Sequence, residues 1–452
     1  MTTRFIGIDA HKKTLQYCLL DEQGTRLAEG SAAVTKPELE RFARQKLNAE
    51  DEVVLEATSN TWALVDCLEP HVQRVVVSNP MKTRAIASAK IKTDRIDARI
   101  LAELLRCRFL PEVWQPDPDT RRKRELTHRR TALVQDQTRI KNRLHSVLAQ
   151  RLIPVPMSRL FSAKGWAWLR ELELDADGRS ILDSDLRLLE TVIEEIEKID
   201  RQIAEMAYAD ESVRLLMTLP GVSVTVAQGL VAAWGPIDRF PDADRAASYL
   251  GLVPSVRQSA DRSYHGRITK QGNSHARWLL IQAAQHLDKD LGPLGAFFRR
   301  MKAKKNRNVA VVATARKMAT IAWHMLKNNE PYRYANPRTT ETKLASLRIR
   351  AGGERRRTGP KKGAPRPANH GSGQQRRRIP SLAEVCEKEN LSLPVDTEAL
   401  PPGEKRMLQE TGTFEHAEAV CETRFVPKRR GARVPPAGKE TKASSQTQPT
   451  KQ

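Results

Sequence analysis

Asp94 and Asp97 lie three residues apart in Thr93-Asp94-Arg95-Ile96-Asp97-Ala98-Arg99, at the start of a helical pattern running to about Phe109. On a helix such positions face the same way, with Cβ atoms roughly 5–6 Å apart. Two carboxylates aimed at one point, with Arg95 and Arg99 beside them, suit a hard divalent cation next to a phosphate. A plainer role is also open, in which Asp94 is an N-cap before an exposed, ion-paired helix face. Two more acids bear on the choice. Asp9 ends the apolar run Phe5-Ile6-Gly7-Ile8, and Glu56 closes the run Val53-Val54-Leu55. A carboxylate in such a strand is costly to bury without a partner, and a metal shared with Asp9 would be one. The alternatives are a turn role for Asp9 and an exposed or edge position for Glu56.

A second set of residues has different chemistry. Ser255–Asn273 reads SVRQSADRSYHGRITKQGN, polar and without a regular period, and is read as a loop. It carries Arg257, Arg262, His265, Arg267 and Lys270 around several hydroxyls. A serine that attacks a phosphodiester needs its proton removed, and needs cations on the non-bridging oxygens as charge builds. Ser259 has both kinds of neighbour; Ser255, Ser263 and Ser274 are weaker candidates. Composition alone favours a basic loop that grips phosphates without reacting.

These residues must be held by secondary structure. Residues 4–20 read as a hairpin, turned at Asp21-Glu22-Gln23-Gly24, and Thr25–Ala33 as a third strand. Lys36-Pro37-Glu38 opens a helix. Strands are expected at Glu52–Ala57 and Val75–Val77, with a helix at about Thr61–Leu68 between them and Asn79-Pro80 after the second. The order β-β-β-α-β-α-β-α is a mixed α/β domain. Arg121–Arg151 is a basic helix, and Ser184–Tyr208 a second long helix with apolar residues alternating by three and four, acidic in its middle. Residues 152–180 read as an elbow between them. Met217-Thr218-Leu219-Pro220-Gly221-Val222 leading into Val224–Trp234 has the pattern of a helix-hairpin-helix, in which a glycine turn offers backbone N–H groups to a phosphate, or of a plain αα turn. Helices are expected at Ser274–Leu287 and about Asn308–Leu326. Periodicity ends near Tyr332, leaving only a short amphipathic piece around Ser381–Glu389.

Three fragments together, Ile6-Gly7-Ile8-Asp9, Leu55-Glu56-Ala57-Thr58 and Thr93-Asp94-Arg95-Ile96-Asp97-Ala98, resemble the RuvC-like DEDD domain of one class of insertion-sequence transposases, the insertion-sequence one-ten family. Gly251-Leu252-x-Pro254 with Gln258-Ser259, then Gly266-Arg267-Ile268-Thr269-Lys270-x-Gly272 and Ala276-Arg277-Trp278-Leu279-Leu280, is similar to the C-terminal transposase domain of that family. Ala260 and Thr269 stand where the family usually has Gly and often has Ser. The resemblance implies a ribonuclease-H-like fold over residues 1–115, with Asp9, Glu56, Asp94 and Asp97 as Mg²⁺ ligands. It implies that Ser259 is a nucleophile forming a covalent serine–DNA link, with Arg257, Arg262, Arg267 and Lys270 as nucleic-acid contacts. It further implies a homo-oligomer, dimer or tetramer, guided by a structured noncoding RNA of bridge type.

The bulk properties agree with a polyanion partner. The net charge is +23 over 452 residues, and +12 of it lies in residues 331–452. No apolar run approaches the roughly 18 residues of a membrane span, and no signal-peptide pattern opens the chain, so a cytoplasmic protein is expected. The five cysteines are dispersed and support neither zinc nor disulfides, and no P-loop is present. The fold class expected is α/β plus α: the RuvC-like domain (1–115), a helical coiled-coil linker (116–212), a mainly helical serine-containing domain with the helix-hairpin-helix-like segment (213–330), and a disordered basic tail (331–452). The function expected is a DNA transposase or recombinase. A metal-dependent junction nuclease using water, or an inactive nucleic-acid-binding relic, are the alternatives.

Overall fold

The computed structural model describes residues 3–87, 93–259, 262–352, 376–396 and 398–427. The chain divides into two compact units, Met1–Asp117 and Pro118–Gln452.

In the first unit, β1 (Phe5–Ala10), β2 (Thr14–Leu20) and β3 (Arg26–Ala33) form an antiparallel meander. After α1 (Lys36–Lys46), β4 (Glu52–Glu56) returns parallel to β1. After α2 (Thr61–Leu68), β5 (Arg74–Ser78) is parallel to β4. The resulting five-stranded sheet has the order β3-β2-β1-β4-β5. Strand parity divides the side chains between two layers. Ile6, Ile8, Val53, Leu55, Val75 and Val77 meet α1 and α2 on one face. Phe5, Val54 and Val76 meet Leu101 and Leu105 of α4 (Asp94–Arg106) on the other, and Cys18 and Leu20 meet Ala98 and Ala102. Between β5 and α4 runs the short α3 (Pro80–Ile86), capped by the Asn79 side chain, which accepts from the Met81 and Lys82 amides. Arg108 pairs with the buried Glu52 at the N-terminal end of β4, on the α4 face.

The second unit begins with two long helices, α5 (Pro118–Gln150) and α7 (Ala176–Ala209), flanking α6 (Ala163–Glu171). They run antiparallel, as their ion pairs show: Lys123–Asp210, Arg130–Asp200, Arg143–Asp185 and Arg151–Asp175 step down one helix and up the other. Leu133 with Ile196, Ile199 and Ile203, and Ile140 and Leu144 with Leu182, Leu186 and Leu189, fill the seam between them. Next come α8 (Glu211–Leu216), α9 (Val224–Trp234), α10 (Ala243–Tyr249), the ribbon β6 (Pro254–Ser259) and β7 (Arg262–Ile268), α11 (Ser274–Ala284), α12 (Pro293–Lys304) and α13 (Arg307–Asn328). One core joins these helices around Trp234, Phe298, Met318 and Leu280.

Two expectations need correction. Ser255–Asn273 is not an irregular loop: most of it is the antiparallel ribbon β6–β7. Both faces of that ribbon are exposed, so no apolar alternation marks it. Structure also does not end near Tyr332. Helix α14 (Pro337–Arg350) follows, then β8 (Arg376–Ile379), α15 (Leu382–Lys388), α16 (Pro402–Glu410), α17 (Phe414–Cys421) and β9 (Arg424–Pro427). Leu344, Leu347, Leu382, Val385, Leu408 and Ala417 belong to the same core as α9 and α13, and a buried Arg348–Glu389 ion pair ties α14 to the end of α15. Helices α14, α16 and α17 give one or two core residues each, too few for a periodic signal. The helical piece expected around Ser381–Glu389 is α15. Arg355–Arg357, Lys361-Lys362 and Lys428–Arg430 lie outside the described residues, as does Ala260.

Candidate active site

The acidic site is built on the α4 face of the sheet, at the C-terminal ends of the parallel strands. Ile8 pairs with Leu55, so Asp9 and Glu56 are the next positions on adjoining strands, and Glu56 pairs with Ser78 on β5. By parity all three belong to the face that α4 covers. Gly7 is what lets α4 come close. A Cβ there would stand 1.9 Å from the Ala98 carbonyl oxygen and 2.5 Å from the Ala102 amide, so only glycine allows the helix backbone to rest on β1. One turn before Ala98, on the same stripe, comes Asp94, while Asp97 lies at its edge, one turn before Leu101.

Thr93 caps α4, its hydroxyl accepting from the Ile96 amide at 3.4 Å. Both aspartates therefore sit in the first helical turn, where the helix dipole favours negative charge. Beyond β4 the chain is fixed by Thr61, whose hydroxyl donates to the Thr58 carbonyl at 2.9 Å and accepts the Thr58 amide at 2.6 Å.

The structure brings Asp9 and Asp94 together, and adds a residue that the sequence reading missed. His11 Nε2 stands 3.4 Å from Asp9 Oδ2 and 3.3 Å from Asp94 Oδ2. One ligand atom from each of the three lies within 4.8 Å of the others. Asp9 is only 14% exposed at its side chain, against 54% for His11 and 55% for Asp94, so the cluster opens to solvent on one side. Glu56 and Asp97 are half-buried and fall outside that 4.8 Å set, although both belong to the surface between β1, β4 and α4. Gln16, the register partner of Asp9, has a buried amide oxygen without a hydrogen-bond partner. Two carboxylate oxygens and an imidazole nitrogen converge at this point. A divalent cation, with ligands about 2.0–2.2 Å from its centre, fits that set.

The serine site belongs to the second unit. Ser259 is the last residue of β6, and its backbone pairs with Arg262, the first residue of β7. Residues 260 and 261, which close the ribbon, lie outside the described residues. Arg257 is opposite Tyr264, and Arg257, Arg262, Arg267 and Lys270 are all exposed. Among the described residues none of these four cations pairs with a carboxylate. The ribbon's base is clasped. Thr269 N–H donates to the Val253 carbonyl at 2.9 Å, Lys270 N–H to Gly251 at 3.2 Å, and Asn273 N–H to Tyr249 at 3.0 Å. Gly251 and Gly272 have φ of +66° and +84°, and a Cβ on either would strike backbone at 2.2 and 2.1 Å. Arg277 Nη1 donates to the Leu250 carbonyl at 2.9 Å from α11. These glycines and Arg277 thus hold up an exposed cationic ribbon.

Beneath α11 lies a cluster that the sequence did not reveal. The His275 and His128 rings are 4.1 Å apart, and the Thr131 hydroxyl is 2.8 Å from His275 Nε2. Burial, with His128 adding to it, pushes His275 down to about 4, so the ring is neutral at neutral pH. Burial likewise lowers His128.

Comparison with known proteins bears on both sites. Residues 6–153 match the profile of the DEDD transposases of IS110 type, and residues 213–291 that of the transposase IS116/IS110/IS902 family. The chain is 25% identical over 400 residues to the insertion element IS116 44.8 kDa protein of Streptomyces clavuligerus, covering 75% of this chain and 99% of that one. It is 24% identical over 352 residues to the transposase for insertion sequence element IS1111A of Coxiella burnetii, covering 73% and 91%. It is 31% identical over 195 residues to the Sinorhizobium fredii protein y4qE, where the match spans 43% of this chain and 48% of the relative.

Proposed function

The chain carries the transposase domains of the IS110/IS116 insertion-sequence family, and from that premise we propose that it cuts and rejoins DNA using a divalent-metal centre and a serine nucleophile. The observation that carries this reading is the convergence of Asp9, Asp94 and His11 within 4.8 Å. The strand order β3-β2-β1-β4-β5 of the first unit supports assigning it a ribonuclease-H-like, RuvC-like fold. Asp9 and Asp94 hold the ion, with His11 Nε2 as a third donor, and Glu56 and Asp97 complete the site from the same surface. Mg²⁺ held there would supply a Lewis acid for phosphoryl oxygens. Ser259 Oγ attacks a DNA phosphorus, its proton passing to water, and the deoxyribose oxygen leaves as a hydroxyl; the hydroxyl of a second strand end later attacks the phosphoserine link and Ser259 Oγ leaves. Arg257 and Arg262 flank the attacked phosphate, and Arg267 and Lys270 hold the neighbouring backbone.

Resemblance to the family extends the reading to a homo-oligomer and to a structured noncoding RNA that selects the target. Among the described residues no helix is long and apolar enough to cross a membrane. A denaturing gel of the protein with its element's DNA ends, the noncoding RNA and Mg²⁺ tests the proposal. A covalent protein–DNA band is expected from the wild type, lost in both Ser259→Ala and Asp9→Asn. Cleavage persisting in Ser259→Ala while lost in Asp9→Asn would establish a nuclease using water instead.

A further inference from the structure

The ribbon β6–β7 has two unlike faces. Its register shifts between Pro254 and Val256, and from there to the tip the pairs run without interruption: Val256 with His265, Arg257 with Tyr264, Gln258 with Ser263 and Ser259 with Arg262. Strand parity puts the Arg257–Tyr264 and Ser259–Arg262 pairs on one face and the other two pairs on the opposite face. Both arginines of this stretch therefore belong to the face of position 259. The opposite face carries no arginine or lysine in these pairs.

Tyr264 is 62% exposed, so most of its ring is open to solvent. Arg257 lies directly across the ribbon from it, and Arg262 is two residues earlier on its own strand. Among the described residues neither arginine pairs with a carboxylate. Position 259 is the diagonal neighbour of Tyr264, and such neighbours lie roughly 7–8 Å apart, within reach of an aromatic side chain. An open aromatic ring set between two cations that no carboxylate neutralises fits a polyanion that also carries flat rings. The cations meet backbone phosphates, and the ring meets a base, since every base has a π-face. Attack on a phosphate also needs that phosphate held in line with the attacking oxygen. Two arginines hold its charge but leave the flanking nucleotide free to turn. A ring stacked on the flanking base stops that rotation.

We propose that Tyr264 stacks on the nucleobase flanking the phosphate that Ser259 attacks, and so orients that phosphate in the site. The proposal rests on the reading of Ser259 as nucleophile. The stack takes any base, and it requires that base to be out of its pair. It thus also holds a strand end while the phosphoserine link awaits the second strand.

The test is the rate of covalent adduct formation by the full-length protein with its element's DNA ends, the noncoding RNA and Mg²⁺. The DNA carries either all its bases or one abasic nucleotide, placed on one side or the other of the cut phosphate. Tyr264→Ala is expected to slow the adduct about 10-fold, within the range of one base–aromatic stack, while Tyr264→Phe keeps the rate. In the wild type the abasic nucleotide at one of the two positions should cost a similar factor. Combined with Tyr264→Ala it should cost nothing further, because both changes remove the same contact. The salt slope of DNA binding should not move in Tyr264→Ala, since no charge is lost. Losses that multiply, a Tyr264→Phe as slow as Tyr264→Ala, or a full rate in Tyr264→Ala overturn the stack and leave Ser259 as nucleophile. The abasic arm on the wild type needs no variant, so a rate indifferent to both placements overturns the stack even if Tyr264→Ala fails to fold. A wild type that forms no adduct overturns the serine reading and the stack together.

Discussion

Gly7 and Ala98 are in backbone contact: the position of a Cβ on Gly7 is 1.9 Å from the Ala98 carbonyl oxygen. This contact sets the height of α4 above β1, and so places Asp94, one turn earlier, beside Asp9. Gly7→Ala must push the helix off the strand. The expected cost is about 2–3 kcal/mol in denaturant unfolding, in the range of overpacked cores. Strand cleavage should fall at least tenfold even at temperatures where the variant is fully folded.

His11 should contribute to ion binding less than the aspartates do. His11→Ala is expected to weaken divalent-ion affinity about 10–100-fold, the range for groups that support a metal site. Asp94→Asn should abolish binding. Calorimetric titration with Mn²⁺ on each variant measures the difference. Equal affinity in wild type and His11→Ala would remove His11 from the site.

The exposed arginines of the ribbon make a separable electrostatic prediction. Arg257→Ala and Arg262→Ala should each reduce the salt slope of DNA binding by about 1 and weaken it several-fold. Neither should change the melting temperature, because among the described residues neither side chain is paired with a carboxylate.

His275 makes stability depend on pH. Its folded value is about 4, below the usual 6.5, so the unfolded chain takes up a proton first as the pH falls. The neutral-ring contribution is complete above about pH 6.5 and is lost as the pH falls from there to about 4. The loss is on the order of 1–3 kcal/mol. His275→Gln should flatten the wild-type decline in that window, read as the difference between the two melting curves.

Much of the first unit could be read before folding. The run Ile6–Asp9 and the run Val53–Glu56 announce strands whose ends carry acids; the cap of α4, however, is Thr93, not the Asp94 that follows it. The pairing of Asp9 with Asp94 depends on the Gly7–Ala98 contact, and glycine in a strand does not say what will approach it. His11 stood in a turn with no period to mark it, and only that same contact gives it two carboxylate neighbours. The ribbon holding Ser259 was read as a loop because neither of its faces is buried. Of the helices after Tyr332 only α15 shows in the sequence; α14, α16 and α17 do not, because each adds only one or two residues to a core assembled from distant parts of the chain.

Whether Asp9 and Asp94 hold a divalent ion can be read from Mn²⁺ binding followed by electron paramagnetic resonance. The wild type should bind Mn²⁺ at a site that Mg²⁺ competes for and that is lost in both Asp9→Asn and Asp94→Asn, with nitrogen coupling from His11 that disappears in His11→Ala. Wild-type Mn²⁺ binding in either aspartate variant would contradict the account.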